Sequence, residues 1–226
     1  MARRSAIALS AVFLIGLCAA IARPLGVEAQ TVDADRFRKF MNSDFHAALI
    51  AHAASLLPKE VFHSCPTLVS PEGTVTLEKS VSFAPDGIPN AGAWWERLPV
   101  AGCGNDTILN FRFSVGTDGK IAATVALPGT THADLALQRD ALKYAYIGAR
   151  SRAKDCEGLN VKDTRFGGYG LRNHRAPDPG AGAPFRPWWE TWTVVGCGRT
   201  FDVPMEFMPD RTGTQIVQTI NDIIER

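Results

Sequence analysis

A Trp-Trp-Glu segment occurs twice in the chain of 226 residues, at 94–96 and again at 188–190. Two carboxylates are what acid–base cleavage of a glycosidic bond requires, provided that they approach within about 10 Å of each other. The repeat therefore allows a glycan hydrolase that acts through Glu96 and Glu190. Both glutamates share the strand parity of core residues, however, and a buried carboxylate must be paired. The pattern favours two structural hydrogen-bond acceptors over an acid–base pair.

The two tryptophans of each segment point to opposite faces of a strand, because successive side chains alternate. Trp94 and Trp188 share the parity of the apolar residues that follow them, so they are assigned to the core. Trp95 and Trp189 then lie on the other face of each sheet. They are candidates either for a seam between two domains or for an aromatic face that binds a protein, a glycan or a lipid headgroup.

The strand after each tryptophan segment alternates between apolar and polar residues, which indicates one buried and one solvated face. The polar face carries Arg112 in the first copy and Glu206 in the second. In the plainer interpretation both are ordinary solvated residues. In the sharper one they are candidate binding residues, since opposite charges on two facing sheets would complement each other or a shared partner.

Four cysteines follow residue 30, and an even number in an exported chain predicts two disulfides. Cys65 precedes Cys103 by 38 residues and Cys156 precedes Cys197 by 41, so one bridge per copy treats both copies alike. Bridged cysteines do not act as nucleophiles. The sequence has no C-x-x-C and no histidine at ligand spacing beside a cysteine, so neither a metal site nor a cofactor is predicted.

The first 29 residues have the composition of a secretory signal peptide. A basic start is followed by an apolar run at 6–22, and small residues precede two cleavage positions, after Ala22 and after Ala29. A retained membrane anchor is the alternative, and no other segment is comparably apolar. The expectation is a periplasmic or secreted protein with no transmembrane segment once the signal peptide is removed.

Each copy is predicted to contain a helix followed by four antiparallel strands. Apolar residues recur at three- and four-residue steps over 35–57, after Asp33 as N-cap, and again from about 131 to 154. One strand of each copy begins at its Trp-Trp-Glu segment, after a Pro/Gly loop at 84–93 or 176–187. The other strands are expected at 74–83, 107–115 and 120–127, and at 162–172, 201–207 and 214–220. The C-terminal stretch suits a helix equally well.

This order predicts an α+β fold of two tandem repeats, 30–128 and 129–226. Each repeat is a helix packed on a four-stranded antiparallel sheet and holds one disulfide. The architecture is similar to that of cystatin-like domains and to the tandem layout of β-lactamase inhibitor proteins. The likeness is one of element order, because no family motif carries over residue by residue.

The function expected from these features is that of an exported, non-enzymatic binding or interaction protein of the bacterial periplasm or exterior. The sequence contains no G-x-S-x-G, H-E-x-x-H or P-loop motif. A formal net charge of +1 provides no electrostatic attraction to nucleic acid or to an anionic membrane. An envelope protein or glycan is the expected partner. A glycan hydrolase and a structural component of the envelope stay open as alternatives.

Overall fold

The computed structural model describes residues 33–58, 73–101, 106–172 and 178–226. The predicted signal peptide at 1–29 lies outside these ranges, as does the predicted bridge between Cys65 and Cys103. Within the described ranges the chain forms three α-helices and two antiparallel sheets, one of four strands and one of five. The fold is therefore α+β and dominated by its sheets.

The first helical segment is divided into α1 (Ala34–Met41) and α2 (Asp44–Ser55). Asp33 caps α1, as expected, by accepting a backbone N–H of the first turn at 3.0 Å. The single helix predicted over 35–57 is wrong at Ser43, whose hydroxyl accepts a backbone N–H at 3.2 Å and so starts a second helix. Serine favours this capping position over a helix interior because its side chain competes for backbone groups.

Sheet one contains β1 (Thr74–Phe83), β2 (Pro89–Val100), β3 (Thr107–Val115) and β4 (Ile121–Val125) in that spatial order. The observed bounds of β1 and β3 are those predicted. β2 begins inside the segment predicted as a loop and pairs there with β1 through several register shifts. Such bulges allow a strand to continue through a Pro/Gly-rich sequence. A composition of this kind is typical of loops, which is why the start of β2 is predicted as one.

Helix α3 (Leu135–Arg152) precedes sheet two. Its N-cap is Asp134, whose carboxylate accepts the Leu137 N–H at 2.8 Å. The predicted start near Thr131 is too early, because the residues before Asp134 belong to the linker between the sheets. A capping carboxylate ends the linker and begins the helix at the same residue.

Sheet two contains β5 (Asn160–Tyr169), β6 (Trp188–Gly196), β7 (Arg199–Pro209), β8 (Thr214–Gln218) and β9 (Ile224–Glu225). Both β8 and β9 pair with β7, at different positions along it, so this sheet has five strands where four were predicted. The ambiguous C-terminal stretch consists of two strands separated by a 3₁₀ turn at Ile220–Asp222.

The second Gly-Cys-Gly segment forms a two-residue hairpin turn between β6 and β7. Cys197 and Gly198 have φ angles of 52° and 70°, as a type I′ turn requires. A side chain at Gly196 would come within 2.8 Å of Leu159 and 3.2 Å of the Cys156 sulfur. This turn holds Cys197 in its disulfide with Cys156, which confirms the predicted second bridge.

The tryptophan strands have equivalent registers in the two sheets. Trp95 lies opposite Arg112 on β3, and Trp189 lies opposite Glu206 on β7. The residues of each tryptophan strand on the face opposite Trp95 or Trp189 pack into the core of their own sheet. The first core includes Phe40, Trp94, Phe111 and Phe113, and the second includes Ala145, Trp192, Val203 and Phe207.

The outer face of β7 is buried, so the prediction of a solvated face is wrong there. Asp202, Pro204 and Glu206 are all buried despite their polar alternation. Thr193 donates to the Asp202 carboxylate at 2.9 Å, and Arg226 pairs with the same carboxylate from the C-terminal end. Polar residues alternate in the sequence as on a solvated strand, but these contacts keep them out of water.

The linker between the two sheets forms part of both. Gly129, at a φ of 101°, makes a parallel bridge with Thr164 of β5. The Thr130 N–H donates to the Thr164 carbonyl at 2.6 Å, and the Thr164 hydroxyl donates to the Pro128 carbonyl at 2.6 Å. On the other side, the Asn110 amide of β3 donates to the Gly129 carbonyl at 3.0 Å. The linker therefore ties sheet one to sheet two.

Candidate functional site

Trp95 and Arg97 lie two residues apart on the outer face of β2. The Trp95 ring is half-buried, and the carboxylate of Glu78 on β1 lies near it. Glu78 accepts two hydrogen bonds from Arg112 on β3, at 2.6 and 2.7 Å. The Arg112 bond lowers the pKa of Glu78 although burial opposes it, so Glu78 stays ionised. Arg112, a predicted binding residue, is thus held in an ion pair with Glu78 beside Trp95.

A cavity of about 660 Å³ opens beside Trp95 and Arg97, between sheet one and the start of α3. We call this cavity the intersheet cleft. Its volume lies within the range of small-molecule sites. Most of its other walls are polar, from Thr76, Asn110, Thr130, Thr131, His132, Asp134 and Gln138.

The wall contributed by sheet two is aromatic. The His132 ring stacks on Phe166 with centroids 3.9 Å apart and an interplanar angle of 8°. Tyr169 meets the His132 ring nearly edge-on at 5.6 Å. The Arg186 guanidinium lies 3.4 Å over the Tyr169 ring, and Asp178 holds that guanidinium by two hydrogen bonds. These contacts fix the orientation of the His132–Phe166 wall.

The backbone of His132 is hydrogen-bonded to a buried carboxylate, and the pKa of its ring is shifted by its surroundings. Its N–H donates to the buried Glu190 carboxylate at 2.8 Å. Burial lowers the pKa of His132, the Glu190 carboxylate opposes this, and the Arg97 guanidinium lowers the pKa further. The neutral imidazole is therefore the favoured form at neutral pH.

Arg97 is exposed at the cleft, and among the described residues no carboxylate forms an ion pair with it. Arg112 and Arg186, by contrast, each hold a carboxylate at hydrogen-bond distance. The acidic residue of the cleft wall, Asp134, already accepts a backbone N–H as the cap of α3. Within the described ranges, Arg97 is therefore a cation of the cleft without a carboxylate partner.

Trp189 is half-buried like Trp95 but lines a different cavity, of about 400 Å³, on the outer face of sheet two. Its ring lies flat on Gly167, where a Cβ would come within 2.3 Å of it. The Arg172 guanidinium lies 5.5 Å from the ring centroid. Glu206, the other predicted binding residue, is the buried neighbour of Trp189 on β7. The structure does not bring the two predicted tryptophans into one site.

A third cavity, of about 560 Å³, lies between α2, β4 and α3. Its walls are mostly apolar, and Arg139 lies at its margin. The apolar residues are Leu56, Leu57, Val125, Leu127, Leu135, Leu142 and Val161. This groove contrasts with the intersheet cleft, which has a similar size but polar walls.

Glu96 and Glu190 are fully buried and act as hydrogen-bond acceptors. Glu96 accepts from the Trp94 indole at 2.8 Å and contacts His46 Nε2 at 2.9 Å. Glu190 accepts from the Trp192 indole at 2.7 Å, as well as from the His132 N–H. The bonds are those expected of structural acceptors.

The two carboxylates also lie apart from the cavities. Glu96 is buried beside the first core and Glu190 beside the second. Neither lines the intersheet cleft, the apolar groove or the Trp189 cavity. The arrangement does not place an acid and a base on opposite sides of a substrate.

Three residues of the cleft could not be predicted from sequence patterns. Arg97 stands in a strand as any solvated arginine would, and His132 stands alone before a helix. Phe166 is one apolar residue in a glycine-rich strand. They meet because the linker ties β3 to β5, and only the position of Trp95 on the outer face pointed to this side of the sheet.

The described ranges contain no group of three or more His, Cys, Asp or Glu side chains arranged to hold a metal ion. No α-helix in the described part of the chain is long and apolar enough to cross a membrane. The chain matches no protein-family model, no curated protein and no solved structure. The site is therefore interpreted from its own geometry.

Proposed function

We propose that the protein is an exported, non-enzymatic binding protein whose ligand occupies the intersheet cleft. The observation that carries this proposal is the half-buried Trp95 ring, which lines a cavity of about 660 Å³ together with the exposed Arg97. A tryptophan provides a large contact area at a low cost in conformational entropy.

The size and shape of the cleft favour a small ligand over a folded partner. A stable protein interface takes roughly 800 Å² from each partner, usually from a broad surface. The cleft is concave, and its walls come from several elements that meet at the linker. A glycan fragment therefore suits it better than an envelope protein.

A periplasmic or secreted location accords with this function. The disulfide between Cys156 and Cys197 is of the kind that persists in an oxidising compartment. The segment at 1–29 has the composition of a signal peptide. The equivalent registers of the two tryptophan strands support a duplication, with repeats at 30–128 and 129–226. The cleft would then be a product of joining two repeats.

An NMR titration tests the proposal, because the five tryptophans of the chain give separate indole N–H signals. Soluble glycan fragments from a bacterial envelope serve as the probe. We expect the Trp95 signal to move while the Trp189 signal stays in place. Trp95→Phe should weaken binding, and Trp189→Phe is the matched control. A shift at Trp189 alone would place the ligand elsewhere and contradict the proposal.

The same samples test the alternative of a glycan hydrolase. Shortened glycan products, analysed by mass spectrometry after incubation, would support the hydrolase and oppose a purely binding role. The positions of Glu96 and Glu190 give this alternative no support, because both are fully buried and neither lines the cleft. A structural role in the envelope predicts that no soluble fragment moves any tryptophan signal.

A further inference from the structure

We infer that the intersheet cleft selects an acidic saccharide, with the sugar ring against Trp95 and its carboxylate on Arg97. This inference rests on the proposed binding function and names the ligand class of the same site. The ring and the charge would be recognised by two side chains of one strand, and the remaining walls would meet the hydroxyl groups.

The cleft wall carries one cation and one carboxylate, and in the described part of the chain it is the cation that has no partner. Arg97 is the exposed cation of the wall, and among the described residues it has no carboxylate partner. Asp134 is engaged as the cap of α3. Arginine binds carboxylates through two parallel N–H bonds, which are stronger than bonds between neutral groups.

The spacing of Trp95 and Arg97 fits one sugar residue. Side chains at positions i and i+2 of a strand stand on the same face, about 7 Å apart. This is the scale of a hexose ring with an exocyclic carboxylate. Both side chains line the cleft, so one sugar residue can contact the two of them at once.

The walls favour a hydroxylated ring over an apolar acid. The cleft presents hydroxyl and amide side chains, among them Thr76, Thr131 and Asn110. The groove between α2 and α3 is mostly apolar instead, and its leucines suit a lipid-like or aromatic acid better. A hydroxylated ring can exchange further hydrogen bonds with the hydroxyl groups among them, which an apolar acid cannot do.

Calorimetry with tri-galacturonate and its methyl ester tests the inference, because the two probes share their rings and differ in charge. We expect the acid to bind at least about tenfold more tightly than the ester, and the difference to shrink at high salt. Arg97→Gln should weaken acid binding about tenfold and leave ester binding unchanged. Arg139→Gln removes an exposed arginine at the apolar groove and is the matched control.

Each other outcome overturns a stated part of this assignment. Equal binding of acid and ester, both lost in Trp95→Ala, would leave the cleft as a glycan site and reject the acidic ligand. Displacement of the acid by inorganic phosphate at similar concentration would show a site for anions without a requirement for sugar. If neither probe binds while envelope fragments still move the Trp95 signal, the acidic saccharide is rejected and the binding function stands. If those fragments also fail, both are rejected.

Discussion

The Trp94 indole N–H donates a 2.8 Å hydrogen bond to the carboxylate of Glu96, two residues further along the same strand. The same relationship recurs 94 residues later, where the Trp188 indole donates to Glu190 at 2.8 Å. Each carboxylate is fully buried, and each receives a further contact from outside its sheet, from His46 or from the His132 N–H. The first tryptophan of the Trp-Trp-Glu segment thus has a structural role in both sheets.

Substitution Glu96→Gln should destabilise the fold. The amide removes the charge that strengthens the contacts of Trp94 and His46 with Oε1, and it puts an NH₂ group where Oε2 lies 3.0 Å from His46 Nε2. The free energy of unfolding should fall by roughly 1–3 kcal/mol, measured by urea denaturation. Glu225→Gln breaks the exposed pair with Arg199 and should lower the free energy of unfolding much less than Glu96→Gln. Equal losses in the two variants would contradict the structural role of Glu96.

Substitution Gly129→Ala should separate the two sheets. Gly129 has a φ of 101°, and a Cβ there would lie 2.0 Å from the Thr164 carbonyl oxygen. We expect a loss of at least about 2 kcal/mol in the free energy of unfolding, from strain and from the broken bridge. Gly182→Ala adds a methyl group where nothing lies within 4 Å, and its stability should be nearly unchanged. A stable Gly129→Ala variant would mean that the linker bridge contributes little.

Local signals in the sequence predicted most of the strands. The alternation over 107–115 and the bounds of β1 follow from residue periodicity, which depends on neighbours in the chain. The break at Ser43 was missed because the apolar spacing continues through it, while the hydroxyl cap depends on a single side chain. The fifth strand of sheet two was missed because β9 is two residues long and is held by its pairing with β7.

The cleft was less predictable than the fold. Trp95 was placed on the correct face by parity alone, whereas its partners come from an adjacent strand and from the linker. The sequence also treated Trp95 and Trp189 as equivalents. Their surroundings differ because Trp95 lies beside the Glu78–Arg112 ion pair, while Gly167 allows the Trp189 ring to lie flat on β5. Residues at equivalent positions of the two sheets have different surroundings when their neighbours differ.

Removal of the disulfide should lower stability without changing the fold. Cys156 and Cys197 are 41 residues apart, and closing a loop of that size stabilises a protein by roughly 4 kcal/mol in the chain-entropy model. The double variant Cys156→Ser/Cys197→Ser should lose about 2–4 kcal/mol in urea denaturation. Peptide mapping under non-reducing conditions tests the companion prediction of a bridge between Cys65 and Cys103. A peptide linking Cys65 to Cys156 would refute the pairing within each copy.

The Asp178 carboxyl should titrate far below an ordinary aspartate. Its hydrogen bonds with Arg186 lower the pKa of Asp178 from 3.8 to about 2. Its contribution to stability is therefore complete above the unfolded pKa and is lost as the pH falls towards 2. Carbon-detected NMR titration measures this pKa directly. In Arg186→Gln the pKa should return towards 3.8, whereas Arg211→Gln is a control at an exposed turn.

The stability of the protein without any ligand should depend on pH through His132 in the cleft. Burial lowers the pKa of His132 from 6.5, with Glu190 opposing and Arg97 adding to the shift. The His132 imidazole binds a proton more readily in the unfolded chain than in the folded one. The contribution of the neutral imidazole to the free energy of unfolding should therefore be fully present above pH 6.5 and fall as the pH drops below it. His132→Gln should flatten this dependence in urea denaturation, and His52→Gln, on the exposed face of α2, should not.

Arg97 itself can be tested through the same imidazole. Substitution Arg97→Gln removes one of the two causes that lower the pKa of His132, so that pKa should rise towards 6.5. Proton–carbon NMR of the imidazole ring follows the change, and Arg139→Gln should leave it unaltered. An unchanged pKa in Arg97→Gln would mean that the guanidinium points away from the cleft. The carboxylate of an acidic saccharide would then have no cation to meet there, because Arg97 is the arginine of the cleft wall.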